Sequence, residues 1–349
     1  MDSPSSRGPG EFHWASTLWH EMSHVYVIAM TGGRVPRWFT EGEAVYEETA
    51  SHPDWGDRLS PREIAAIKGK QLLPIAELDR GYMHPTSPQQ VVVSYYQGGR
   101  VITYIVEKWG FDTVLKMIDG FKNRKDTTEV IQDVLKMTPE QFDAQFIPWV
   151  EAQTKVTVDG FDDWKKRLLA ISESAKAKDW DKVISEGTAI RDIFPEYVEP
   201  GSVYEFLSQA YLAKGDKGKA IAELEKYAAI GGRQPATLIQ LADLQAEAGH
   251  KKEAAVTLDK LNWIFPESEA LHSKLANLYR DLGNTDGAIR EYGAVLASGT
   301  IDKAGGHYNL AEALKAAKKN DEALEQAYLA LEAAPSYKPA QKLLLELSK

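Results

Sequence analysis

Three alanines, Ala220, Ala254 and Ala288, stand 34 residues apart, and this interval constrains the fold more than any other feature of the chain. Glycines 215, 249 and 283 keep the same step, and Leu207, Leu241, Leu275 and Leu310 share one phase. Ala323 follows Ala288 after one extra residue, and Pro195, Pro266 and Pro335 close three of the units. The small residues mark places where two helices cross closely. The prolines mark where a second helix must stop, because proline has no N–H to continue the ladder. One such unit cannot bury its apolar face alone, so neighbouring units stack.

The period and the positions of small residues, glycines and prolines resemble the tetratricopeptide (TPR) repeat. Five units start near residues 164, 201, 235, 269 and 304. The first is degenerate, with Val183 at the small position and Gly187 inside its second helix. Residues 338–347 form a solvated capping helix in this reading. The resemblance implies a right-handed superhelix over 160–349 that takes a protein or peptide partner on its concave face.

Residues 13–155 lack the period but are also rich in helix signals. Trp14 to Met30 reads as an apolar helix whose Trp14, Leu18, Trp19, Met22, Val25, Tyr26, Val27 and Ile28 leave most of its faces buried. Pro36 can start a second helix running through Glu48. Capping boxes with proline at the first helical position occur at Ser60–Glu63, Ser87–Gln90 and Thr138–Gln141. They predict helices over 61–69, 88–109 and 139–153, the second ending at Gly110 as a C-terminal cap. No convincing alternating strand appears, so the fold class is all-α. The first dozen residues are short, polar and rich in Pro, Gly and Ser; they read as a vector-derived leader, expected to be disordered, with the native start upstream.

The formal net charge of −10, without long basic runs, argues against nucleic acid or an anionic membrane as partner. No apolar run approaches the roughly 20 residues that span a bilayer. The absence of cysteine removes disulfides, thiolate metal sites and a Cys nucleophile, and leaves the compartment open.

His20-Glu21-Met22-Ser23-His24 is an H-E-x-x-H string. On a helix, residues four apart lie one above the other, so both imidazoles can reach one ion. Glu21 then sits beside the open metal position, where it could take a proton from a bound water. A catalytic zinc site needs a third protein ligand, and the next helix carries Trp38-Phe39-Thr40-Glu41-Gly42-Glu43-Ala44-Val45-Tyr46-Glu47-Glu48.

Its E-G-x-A-x-Y-x-E string, Glu41 to Glu48, resembles the third-ligand helix of the gluzincins, and Trp38 fits the aminopeptidase form of that motif. The resemblance makes Glu41 the third ligand and Glu48 an acceptor that orients a ligand histidine, with Glu43 and Glu47 as fallback ligands. Ser94-Tyr95-Tyr96-Gln97-Gly98 resembles the S-Y-x-x-G segment of the same group and carries the oxyanion-donor role onto Tyr95, with Tyr96 and Gly99 as the alternative register. Sixteen residues separate His24 from Glu41, fewer than in familiar gluzincins, and the turn at Thr31-Gly32-Gly33 absorbs the difference. His13, His52 and His84 lack ligand spacing. His250, His272 and His307 belong to the repeats, the last two at equivalent positions.

The order of elements is similar to the peptidase MA-like proteins, in which such a helical domain precedes tetratricopeptide repeats. The resemblance implies a Zn2+-dependent metallohydrolase, a metallopeptidase, with a hydrolysable substrate at the zinc site. Gluzincins place a β-sheet before the active-site helix, and almost nothing precedes Trp14 here. The expected alternatives are a zinc hydrolase acting on small non-peptide substrates, or a non-catalytic TPR interaction module with a degenerate peptidase domain.

Overall fold

The structure, a computed structural model, describes residues 8–348. Among these the chain forms helices and no strand, and no helix is long and apolar enough to cross a membrane. The chain divides into two compact units. One is Trp14–Gly232; the other is Arg233 onward together with the described residues before Trp14. Of the leader, residues 1–7 lie outside the described residues. Residues 8–12 form a turn in which the Gly10 N–H donates to the Ile264 carbonyl at 3.4 Å.

The first unit begins with α1 (Trp14–Thr31), α2 (Arg37–Ser51) and α3 (Pro61–Lys68). There follow α4 (Arg80–Met83), α5 (Pro88–Trp109), α6 (Phe111–Lys122) and α7 (Thr127–Val130). Helix α2 is central, with Trp38, Phe39 and Ala44 fully buried. Asp79 caps its start by accepting the Trp38 N–H at 2.9 Å, and the Trp38 indole donates to Thr127 at 2.9 Å. Helices α2 and α5 cross backbone to backbone: a Cβ on Gly42 would lie 2.5 Å from the Gly98 carbonyl oxygen, and one on Gly99 would lie 2.6 Å from Val45. The glycines of both motifs are therefore there for approach. Alanine at Gly42 would meet backbone, which cannot yield as a side chain can.

The capping boxes at Ser60 and Thr138 form as expected. The one at Ser87 forms by half, since Gln90 turns its carbonyl to the Thr86 N–H at 2.6 Å instead of the Ser87 N–H. Gly110, at φ +81°, ends α5. Two departures from the sequence reading stand out. The helix expected over 139–153 runs on as α8, Pro139–Lys176, through Pro148 and Gly160. Gly160 is a contact, since a Cβ there would lie 2.6 Å from Ile193, and Trp164 locks the far half of the helix against Phe194 and Tyr197. The second departure is α1. Only Ala15, Ser16, Ser23, Val27 and Thr31 are buried, whereas Val25 is 66% and Tyr26 63% exposed. Apolar content overstated its burial because α1 meets α2 and α6 along one narrow stripe.

The first unit continues with α9 (Trp180–Arg191), α10 (Val203–Ala213) and α11 (Lys217–Ala229). The second unit contains α12 (Pro235–Glu247), α13 (Lys251–Asp259), α14 (Glu269–Asp281) and α15 (Thr285–Ala297). It ends with α16 (Lys303–Ala316), α17 (Asn320–Ala333) and α18 (Lys338–Leu347). These pair as helix–turn–helix units in the register read from the sequence. Val183, Ala220, Ala254, Ala288 and Ala323 are buried at the crossings. Gly215, Gly249 and Gly283 take φ of +79°, +85° and +73° at the turns, where Lys178 and Lys318 adopt the same left-handed conformation without glycine's freedom.

A polar register accompanies the apolar one in the second unit. The His272 ring bonds Glu291 at 2.7 Å through Nδ1 and the Pro266 carbonyl at 2.8 Å through Nε2. One repeat later the His307 ring bonds Gln326 at 2.8 Å, again nineteen positions on. Burial resists charge on Glu291, but His272 and Arg290 hold its carboxyl below the usual range. Glu291 in turn raises the His272 pKa.

Candidate functional site

His20 and His24 project from α1 toward α2, one turn apart, with ring centroids 4.8 Å from one another. Each ring is fixed through Nδ1: His20 by Glu48 Oε1 at 2.7 Å, His24 by the Thr40 hydroxyl at 2.8 Å. Both Nε2 atoms are thereby aimed at one carboxylate oxygen, Glu41 Oε2, at 3.2 and 3.3 Å. The other oxygen of Glu41 accepts from Arg37 at 2.9 Å. Helix geometry supplies this convergence. Two histidines four apart face one way, and the Gly42 crossing seats α2 so that Glu41 meets them.

These atoms form a group of three potential ligands that lie within 4.8 Å of one another. The two Nε2-to-Glu41 distances match the edge of a zinc tetrahedron, about 3.3 Å for bonds of 2.0–2.1 Å. The donor set fits as well, two neutral-capable imidazoles and a carboxylate.

Burial works against a charged His20, but hydrogen bonds to Glu41 and Glu48 prevail and push its pKa up to about 9. Burial opposes ionisation of Glu41 also, yet both histidines hold its carboxyl far below the ordinary range.

The group opens onto a cavity of about 450 Å³ lined by His20, Glu21, His24, Arg37, Glu41 and Tyr95, with Thr40 and apolar residues around them. Glu21 is exposed on this face. The Tyr95 ring lies 6.4 Å from that of His20, centroid to centroid, and its hydroxyl is hydrogen-bonded to Arg37. Burial and the neighbouring Glu41 raise the Tyr95 pKa. Tyr96, the alternative register, is instead buried in the core of the unit at 6% exposure. Glu43 and Glu47 lie on the other flank of α1 with Trp19 and Tyr26, away from the ligand cavity. Among the remaining histidines, His52 stacks on Trp55, 3.9 Å between centroids.

Sequence reasoning missed two residues of the site. Thr40 orients His24, and Arg37 neutralises Glu41 while holding Tyr95. Arg37 was legible as an i,i+4 partner of Glu41. Thr40 had no signal beyond its place beside Glu41.

No family model and no curated protein matches the chain. Solved structures are similar to parts of it. The crystal structure of YrrB, a TPR protein with an unusual peptide-binding site, is 15% identical, covers 54% of this chain and 95% of its own, and gives a TM-score of 0.38. MamA 41-end from Desulfovibrio magneticus RS-1 is 20% identical over 42% of this chain and 82% of its own, with a TM-score of 0.34. A thermophilic TPR protein of Thermus thermophilus is 19% identical over 53% and 98%, with a TM-score of 0.28.

The expectation of a zinc metallohydrolase, a metallopeptidase, is corrected: the solved structures similar to parts of this chain are TPR proteins, and none of those named above is a peptidase.

Proposed function

We propose that this chain is a non-catalytic protein-interaction module whose first helices hold a divalent metal ion, Zn2+ by the chemistry of the donors. The repeats would take a protein or peptide partner on the concave face that stacked units of this class form, as the name of the YrrB structure indicates for that protein. Support for the metal comes from one observation above all: two differently anchored imidazoles turn their Nε2 atoms to a single oxygen of Glu41, at 3.2 and 3.3 Å.

His20, His24 and Glu41 would be the ligands, in a gluzincin-like arrangement. Glu48 and Thr40 hold the two rings. A metal there supplies a Lewis-acidic position open to the cavity. Glu21 and Tyr95 line the same cavity, the Tyr95 hydroxyl bonded to Arg37. Arg37 donates to the other oxygen of Glu41 and adds positive charge to the cavity wall.

The experiment is metal analysis of the full chain, stripped and then titrated with zinc. About one zinc per chain is expected, with binding abolished in His20→Ala and preserved in Glu21→Gln. Equal zinc content in the wild type and His20→Ala would remove the site from the reading.

A further inference from the structure

On the flank of α1 turned away from the ligands lies a second cavity, of about 230 Å³, lined by Trp19, Met22, Ser23, Tyr26, Glu43 and Glu47. Its walls are two aromatic rings and a thioether; its charge comes from two carboxylates. Glu43 is only 6% exposed. Ser23 donates a hydrogen bond to it. Among the described residues, no lysine or arginine pairs with Glu43 or Glu47. Two carboxylates beside apolar walls are short of positive charge, since burial strips their hydration. Tryptophan and tyrosine faces add their own attraction for a cation.

The cavity sits within a longer exposed seam. Leu18, Met22, Val25 and Ala29 follow one another at steps of four, three and four on the open side of α1, the spacing at which one helix reads another. Trp19 and Tyr26 border this seam, at 40% and 63% exposure.

We infer that this face docks an amphipathic segment of a partner protein, its apolar side on the Leu18–Ala29 seam and one lysine or arginine inserted between Trp19, Tyr26 and the Glu43 and Glu47 carboxylates. Charge decides between this occupant and a second copy of the chain. A two-fold contact through α1 would bring Glu43 and Glu47 toward their own symmetry mates, in a chain already carrying −10. The inference does not rest on the metal reading, because none of the cavity residues is a ligand.

Fluorescence anisotropy on the full chain tests it with a labelled amphipathic leucine/lysine peptide of about 14 residues, long enough for four helical turns. Matched peptides replace every lysine by glutamate, or every leucine by serine. Saturable binding of the leucine/lysine peptide alone is expected. It should weaken about tenfold or more in Glu43→Gln/Glu47→Gln and in Tyr26→Ala. Unchanged affinity in the double variant overturns the inference, as does equal binding of the leucine/glutamate peptide. A concentration-dependent dimer, seen by sedimentation and lost in Tyr26→Ala, overturns it in favour of a second copy. If thermal melting shows the double variant unfolded, Glu47→Gln at its half-exposed position carries the same test.

Discussion

Two histidine–glutamate clusters, one at the crossing of α1 and α2 and one between α14 and α15, use the same residue types to opposite ends. In the repeats, both nitrogens of His272 are satisfied inside the protein, by Glu291 and by the Pro266 carbonyl. Nothing on that ring is left to give. At the α1/α2 crossing, His20 and His24 each spend Nδ1 on an internal acceptor and send Nε2 to one shared oxygen. A histidine becomes a candidate ligand through the atom its neighbours leave pointing at a common place. Burial does not decide it, because His272 is the more buried of the two kinds.

The sharpest break in this comparison is His272→Ala. It removes one partner of the Glu291 carboxylate, 1% exposed, which keeps Arg290 and Asn262, and should cost about 2 kcal/mol by chemical denaturation with no change in zinc content. If zinc content fell as well, the separation of a structural cluster from a ligand cluster would fail.

The same pair should carry a pH signature. The His272 pKa is raised in the folded state, so its contribution is fully present below 6.5 and fades as pH rises through the higher folded value. The Glu291 pKa is lowered, so its share is present above 4.5 and fades as pH falls through the lower folded value. The stability gap between wild type and His272→Ala should therefore be widest between about pH 4.5 and 6.5 and narrow as pH rises through the raised His272 value; a gap that widens with alkali would contradict the assigned protonation.

At the other cluster, hydrogen bonds to Glu41 and Glu48 push the His20 pKa up to about 9. Zinc uptake at about pH 7 should release its proton, measured as a dependence of the binding heat on the ionisation enthalpy of the buffer. Removing the group that aims His20, in Glu48→Gln, should lower zinc affinity by about 10- to 100-fold. The smallest expected effect is Lys318→Gly, which relieves a left-handed lysine at φ +62°. It should raise stability by less than about 1 kcal/mol, visible as a small upward shift of the melting temperature, and leave both clusters untouched.

The repeats were legible because a period of 34 links Ala220, Ala254 and Ala288 and Gly215, Gly249 and Gly283, and the ligand cluster because helical spacing alone sets His20 over His24. The exposed face of α1 was not legible. Leu18, Met22 and Val25 announce apolar character, but burial is a property of what lies opposite, and one stripe of Ala15, Ser23, Val27 and Thr31 sufficed to seat the helix. The length of α8 was hidden for a related reason. The expected helix stopped at residue 153, and only the contacts of Gly160 with Ile193 and of Trp164 with Phe194 reveal that the ladder is carried on. Thr40 needed the fold itself to be seen.

Helix α8 has a consequence for cooperativity. Its 38 residues, about 57 Å at 1.5 Å per residue, pack at one end against α3 and α5 and at the other against α9 and α10. No hinge or unstructured stretch interrupts it, so the helices around the ligand cluster and the first repeats share one opening unit rather than two. Amide protons of α9 and α10 should exchange more slowly when zinc is added, far from any ligand atom, because whatever steadies one end of that rod raises the free energy of unzipping the other.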